Sequence, residues 1–364
     1  MTFTSDTFTY KAYTYTSSTS GVRLDDITIK LEKQRDGTYN VPADKILVKI
    51  HAAALNPVDV KLYNLSIWPL NYLLGKRGLG EDYSGKIVAI GDKAQLSTAF
   101  KEGDLVSGFS TSFVPNGTFA EYILVDPSKN ADGQLTHAPK NLSLTDASSW
   151  PEVYGTVRIM TVGVDLKDKK FLVLGGGSSI GRSLIQYLRL EGAKEIYATA
   201  SPRSAAVVKE LGAKGTIDYT KGSILNPALE LVSNGEPFDI IYDCVGSNDL
   251  FPKIEYLFPK TGGRYATIVG DAGFLKLSIS SLLSTLTSVK RSLLSSYNYL
   301  PYTYKLHLGI TGLDWIEGGR QLIEEGKLKP FIDSYYKFSE FDKAFDHLKT
   351  GKVSGKIILK VEED

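Results

Sequence analysis

Cysteine is almost missing from this 364-residue chain. Cys244 is the one example, so no internal disulfide can form and no Cys-rich zinc lobe can be assembled. Histidine is nearly as scarce: His51, His137, His307 and His347 are scattered without ligand spacing, and no metal site is expected from them. No run of about 18 apolar residues occurs, which argues against a transmembrane helix. A formal charge of +1 removes any general electrostatic reason to expect nucleic acid or acidic partners. The first twenty residues, rich in Thr, Tyr and Ser, lack the basic start and apolar core of a signal peptide. A cytoplasmic protein is therefore expected, and the N-x-S/T triplets at Asn64, Asn116 and Asn141 read as chance. Internal repeats and low-complexity linkers are absent as well.

What is present is the composition of a soluble globular protein, with 42% apolar and 23% charged residues, at a length that suits two domains. Up to about residue 150 the text is β-rich. ILVKIHAAAL (46–55) is the clearest strand, stopped by Asn56-Pro57, and NPVDVKLYN then suggests a short helix or turn carrying Asp59 and Tyr63. GEDYSGKIVAIG, FKEGDLVSG and GTFAEYILV are short strands between glycine turns, the style of a small β-barrel. Residues 141–163 have helical spacing that Pro151 is expected to interrupt, and read as a hinge. From Lys170 onward five strand-like runs alternate with helices, the last helix before RYATIVG falling near Phe251–Leu257, which implies a parallel, doubly wound sheet. The Leu/Ser-rich segment 272–308 carries Lys276, Lys290, Arg291 and Lys305 without an acid. It reads either as an amphipathic helix packed on the sheet or a subunit face, or as a basic surface helix touching anionic lipid. A strand, helix and strand close the chain.

The densest signal is KKFLVLGGGSSIGRSLIQYLRLEGAKEIYATAS, residues 169–201: strand, glycine turn, helix, strand. Backbone N–H groups at such a helix start can face a pyrophosphate, where unpaired donors and the helix dipole favour negative charge. G-x-G-x-x-G cannot be fitted; the spacing is Gly175-x-x-Ser178-x-x-Gly181. Ser178 could bond a phosphate, or its side chain could obstruct close approach. The end of the second strand, ATASPRSAA, holds Ser201 and Arg203 and no acid, a charge pattern that suits the 2′-phosphate of NADPH better than the free ribose of NADH.

In their order, HAAALNPVD, GEDYSGKIVAIG, FKEGDLVSG, GTFAEYILV, the glycine turn, LGAKGTIDY, FDIIYDCVG and GKIILKV resemble the zinc-independent quinone oxidoreductase branch of the medium-chain dehydrogenase/reductase superfamily, with fungal proteins nearest. The resemblance implies an α/β chain: a GroES-like β-barrel domain (1–152 and 309–364) and a Rossmann doubly wound parallel sheet (153–308), with the active cleft between them. Zinc-dependent relatives place a cysteine near Asn56, and none is here. The implied activity is NADPH-dependent hydride transfer to a quinone or an α,β-unsaturated carbonyl, with no metal. Implied catalytic positions are Asn56, Asp59, Tyr63, Tyr83 and Tyr154, with Asp82 beside them. Implied cofactor positions are Thr156, the turn Gly175, Gly176, Gly177, Ser178, Ser179, Ile180 and Gly181, then Ser201, Arg203, Tyr219, Cys244, Val245, Gly246, Val269 and Gly270. Cys244 is expected as a small buried residue and not a nucleophile. A homodimer through the Rossmann domain is a further implication. The competing expectation is a weakly active or inactive nucleotide-binding protein with a regulatory or membrane-associated role, since a fold does not fix a function.

Overall fold

The structure, a computed structural model, describes residues 1, 3–66, 75–111, 117–127, 133–270, 279–307, 309–310 and 314–362, and of residues 133 and 279–285 the backbone alone. The chain divides into two compact units, Met1–Glu152 with Ile310–Gly326 and Pro330–Asp364, and Val153–Gly309 with Lys327–Lys329.

The first unit is built around the strand Ile46–Leu55, an apolar run buried along most of its length and interrupted by the half-buried Lys49 and His51. Its neighbours run in the order Gly133–His137, Leu105–Ser110, Asp82–Ile90, Ile46–Leu55, Lys356–Lys360, Ile332–Lys337, and Tyr122–Val125 pairs with the first half of the central strand. The chain's last strand is thus part of the first unit's sheet, Ile357 facing Leu55 and Lys360 facing Ala52. A second sheet has Arg23–Lys30, Thr7–Tyr15 and Arg77–Gly78 in order. Thr7–Tyr15 lies in the Thr/Tyr-rich start, where composition gave no strand; Tyr10, Ala12, Tyr13 and Tyr15 are buried there.

The second unit has six parallel strands, one more than the pattern suggested. Their spatial order is Gly215–Ile217, Glu195–Thr199, Lys170–Leu174, Ile240–Asp243, Arg264–Thr267, Thr303–Leu306, which is order 3-2-1-4-5-6, the doubly wound arrangement. The sixth strand falls inside the Leu/Ser-rich segment. It is four residues long on the sheet edge, too short for periodicity to announce it, and is held by the ring of Tyr304 stacked on Tyr265 at 5.5 Å. Leu172, Leu174, Ile241, Tyr265 and Tyr304 form one apolar face with Phe238, Ile254 and Leu257. The stretch Phe251–Leu257 is 3₁₀ turns with non-helical backbone at Lys253, where a helix was expected. Pro151 does not interrupt a helix. It begins one, Pro151–Thr161, because proline's fixed φ and missing N–H are harmless at a first position. Helix Ile279–Ser296 occupies the middle of the basic Leu/Ser segment, while Lys276 and residues 272–275 lie outside the described residues.

Candidate functional site

The Lys170–Leu174 strand runs into Gly175 at φ +81°, a left-handed conformation that favours glycine. The following positions have no room for a side chain. A Cβ on Gly176 would stand 2.7 Å from that of Ala198, one on Gly177 2.5 Å from Ser204 Oγ, and one on Gly181 2.2 Å from the Gly175 carbonyl oxygen. The turn is therefore bare backbone packed tightly on strand and helix, the role glycines have in a dinucleotide fingerprint. Gly175 donates its N–H to Thr199 Oγ1 and Gly176 to the Thr199 carbonyl, both at 2.8 Å.

Ser178 caps the helix Ser179–Leu190. Its Oγ accepts the Gly181 N–H at 3.0 Å and donates to the Gly175 carbonyl at 2.8 Å. The side chain is folded onto its own turn. The amides of Ser179 and Ile180, at the first two helical positions, have no intrahelical acceptor and are the donors an anion would meet.

At the end of the second strand Ser201 opens the helix Pro202–Glu210, its hydroxyl 3.2 Å from that of Ser204. Arg203 is exposed and makes no hydrogen bond or ion pair among the described residues. A cation in a helix's first turn opposes the dipole, a cost that a bound anion would reverse. Tyr219 follows the third strand and is 53% exposed.

The fourth strand ends in a residue that motif reading passed over. Asp243 accepts the N–H groups of Val245 (2.9 Å), Gly246 (2.8 Å) and Ser247 (3.1 Å) and the Tyr265 hydroxyl (2.8 Å), fixing the Cys244–Gly246 turn. Burial raises its carboxyl while these donors pull it back. Gly175 leaves room for Val245, whose Cγ1 would lie 2.3 Å from a Cβ there. The glycine turn and the Val245 turn thus meet at the switch point between first and fourth strands, where doubly wound sheets hold ligands. Cys244 is buried, and burial pushes its thiol far up, which makes it unreactive. Beyond the fifth strand Thr267 Oγ1 accepts the amides of Val269 (3.1 Å) and Gly270 (3.0 Å), closing that loop in the same manner. Tyr154 and Thr156 are buried on the Pro151–Thr161 helix, Tyr154 edge-on to Tyr187 at 6.1 Å.

In the first unit Asn56 begins the helix Pro57–Asn64, its N–H donating to Asp59 Oδ2 at 2.7 Å, and Asp59 Oδ1 accepts the Gly80 N–H at 3.0 Å. The Asn56 amide donates to Asp82 Oδ2 at 2.9 Å, and its oxygen accepts from Lys356 Nζ. Lys356 Nζ also reaches Asp82 Oδ2 at 2.8 Å, and Asp82 Oδ1 accepts the Glu152 N–H at 2.7 Å. All four side chains are 3% exposed or less. Burial lifts the Asp59 carboxyl to about 7 and that of Glu81 well above the usual range, the latter helped by Glu152, Asp59 and Asp82.

This geometry corrects three expectations. The Asn56 side-chain nitrogen donates to Asp82 and to the Ala54 carbonyl at 3.5 Å, and its oxygen accepts from Lys356, so its amide is committed within the first unit and not held open for a substrate oxygen. The Tyr63 hydroxyl donates to the Ser18 carbonyl at 2.8 Å, and its ring packs on Tyr15 and Phe345. Tyr83 is completely buried with its ring against Gly108, its hydroxyl unpartnered among the described residues and pushed far up by burial, so it is a core residue. Lys356 is the member that motif reading missed. Its signal was a lysine opening the apolar strand KIILK.

Comparison with known proteins fits this architecture. The family described as "Alcohol dehydrogenase GroES-like domain" matches residues 42–132, and the one described as "Zinc-binding dehydrogenase" matches residues 211–359. "Protein YIM1" of Vanderwaltozyma polyspora is 33% identical over 341 residues, covering 87% of this chain and 91% of that protein. The chain belongs to the medium-chain dehydrogenase/reductase superfamily. "Protein YIM1" of Saccharomyces cerevisiae is 28% identical across 97% of this chain and 98% of its own. The quinone oxidoreductase of Coxiella burnetii shares the fold, with TM-score 0.75 and 23% identity over 98% of this chain and 100% of that one. As a medium-chain dehydrogenase/reductase the protein joins a GroES-like domain to a Rossmann-like sheet, in an oxidoreductase family that binds a nicotinamide dinucleotide. The glycine cradle and the open amides of Ser179 and Ile180 fit such a group. One family description names zinc. The one cysteine is buried in the second unit, an ammonium sits between Asn56 and Asp82, and the described residues contain no group of three or more His, Cys, Asp or Glu able to hold a metal. No described helix is long and apolar enough to cross a membrane.

Proposed function

We propose that the protein is an NADPH-dependent reductase that transfers hydride to quinones or α,β-unsaturated carbonyls without zinc. The observation that carries the reading is the pairing of a glycine cradle with an exposed, unpaired Arg203 at the second strand's end, where no acid stands to bind a free ribose 2′-hydroxyl. When bound, the nicotinamide supplies the hydride. The chain's own residues do the rest: Ser179 and Ile180 amides hold the pyrophosphate, Ser201 and Arg203 hold the 2′-phosphate, and Asp243 and Thr267 brace the two loops beside it. The Asn56–Asp59–Asp82–Lys356 cluster holds the NPVD and GEDY segments in place, and a hydroxyl or water supplies the acceptor's proton.

Titrating NADPH and NADH against protein fluorescence, then following NADPH oxidation over a panel of quinones and enones, tests the reading. NADPH binding with turnover is the expected result, and absence of binding by either nucleotide would overturn it. Arg203→Ala should weaken NADPH about tenfold and leave NADH nearly unchanged; equal effects would make Arg203 an ordinary solvated surface residue.

One observation favours a second reading, a surface that rests on anionic lipid. Leu286, Val289, Leu293 and Tyr297 are exposed along one stripe of the Ile279–Ser296 helix and its end, beside Lys290 and Arg291. Flotation with anionic vesicles decides it, and no co-flotation retires it.

A further inference from the structure

The second unit contains a cavity of about 820 Å³ that nucleotide binding at the glycine turn does not use. Lys170, Lys194, Tyr197, Lys214, Gly215 and Lys221 are among the residues lining it. Lys170 begins the strand whose far end leads into Gly175, and five residues of extended chain place them about 16 Å apart.

Lys170 is 2% exposed. Its Nζ donates to the Leu231 carbonyl at 3.4 Å and to the Glu236 carbonyl, and stands 5.3 and 5.0 Å from the ring centroids of Tyr197 and Phe238. The two carbonyls lie at and just past the C-terminal end of the Leu225–Ser233 helix, so capping accounts for two of the three N–H donors of an ammonium. The third has no acceptor, and no carboxylate pairs with Lys170, among the described residues. Four acids line the cavity too: Glu236 pairs with Lys194 at 2.6 Å, Glu195 with Lys214, Asp218 accepts from Thr220, and Glu230 is the fourth. Burial pushes the ammonium below its ordinary range, the response of a cation whose neighbours do not fully compensate it. Two glycines keep the space open. A Cβ on Gly215 would lie 3.1 Å from the Tyr197 ring, and one on Gly235 3.4 Å from Lys170 Nζ.

We propose that this cavity is a second ligand site, taking a small aromatic monoanion, an aryl carboxylate or sulfonate, whose oxygen accepts the open N–H of Lys170 and whose ring lies against Tyr197. A buried ammonium with one N–H unmet gives the affinity, and the ring face gives the preference for a flat body. Because the site is at the opposite end of the strand from the glycine turn, it is occupied independently of nucleotide.

The probe is 8-anilinonaphthalene-1-sulfonate, titrated by fluorescence into the full-length protein with and without saturating NADPH. One saturable site, unaffected by NADPH, is expected. Lys170→Met should weaken the probe at least tenfold, the size of a lost charge-assisted hydrogen bond. Gly215→Val, which fills the floor without touching the helix cap, should do the same, and it carries the test if Lys170→Met does not fold. Unchanged affinity in Gly215→Val, or stoichiometric displacement of the probe by NADPH, would overturn the proposal. The titration without nucleotide stands whatever the fate of the cofactor reading.

Discussion

Lys356→Met is the perturbation that most directly tests the architecture of the first unit. Lys356 is 3% exposed and bonds Asp82 at 2.8 Å together with the Asn56 side-chain oxygen, tying the last strand of the chain to residues 300 and 274 positions earlier. Methionine keeps most of the aliphatic stem and removes the charge. Breaking a buried ion pair from one side costs roughly 3–5 kcal/mol, because the remaining charge is left uncompensated. Asp82 keeps two donors, the Asn56 amide at 2.9 Å and the Glu152 N–H at 2.7 Å, which places the loss near 3 kcal/mol by that scale. For a unit of this size about 2–4 °C of Tm accompanies each kcal/mol, so scanning calorimetry should find a fall of about 6–12 °C. Asp82→Asn tests the same bond from its other end. In a double-mutant cycle the pair should be less destabilising than the sum of the singles by about 1 kcal/mol or more. A loss under about 1 kcal/mol for Lys356→Met, or singles that add within about 0.3 kcal/mol, would refute the coupling.

Asp59 keeps its proton in the folded protein to about pH 7, whereas an unfolded aspartate releases it near 4. The folded state therefore binds more protons between those values, and the stability this carboxyl contributes is full below about pH 4 and lost as pH rises through about 7. Urea unfolding followed from about pH 5 to 8 should show that decline, and Asp59→Asn should flatten it, leaving the part due to Glu81, which titrates in the same sense; an unaltered slope would exclude Asp59 as its source. Gly181→Ala should destabilise the second unit by about 1–3 kcal/mol and abolish nucleotide binding, since the new methyl group would meet the Gly175 carbonyl oxygen; thermal melts and fluorescence titration check both. Ser178→Ala should cost about 1 kcal/mol through the lost cap, measured by chemical denaturation. Cys244 should resist Ellman's reagent in the native protein and react once urea unfolds it.

Elements whose pattern is long or punctuated were legible in advance. Ile46–Leu55 stands as a strand because a mostly apolar run, broken only by Lys49 and His51, ends at Asn-Pro, and the βαβ unit from Lys170 to Thr199 was readable because strand, glycine cluster and amphipathic helix follow one another without interruption. Short or compositionally odd elements were not. Thr7–Tyr15 carries Tyr10, Tyr13 and Tyr15, which tertiary packing buries, and Thr303–Leu306 is a strand because Tyr265 and Tyr304 stack across its edge. The tyrosines proposed for catalysis illustrate the same limit, for nothing in the text of GEDYSG distinguishes a hydroxyl facing a ligand from one sealed in a core.

Local order of residue types was thus enough to specify the medium-chain dehydrogenase/reductase plan. Glycines that admit no Cβ, a basic residue where an acid would bind a free ribose, and a chain with one cysteine all act within a few residues of where they stand. The polar cluster is different in kind. Asn56, Asp82 and Lys356 each look ordinary in their own segments, and their meaning arises when strand pairing places Lys356 beside them in the buried interior. A buried charge must find a partner across the fold, and that partner's identity depends on which strands are neighbours, a property that tertiary packing alone decides.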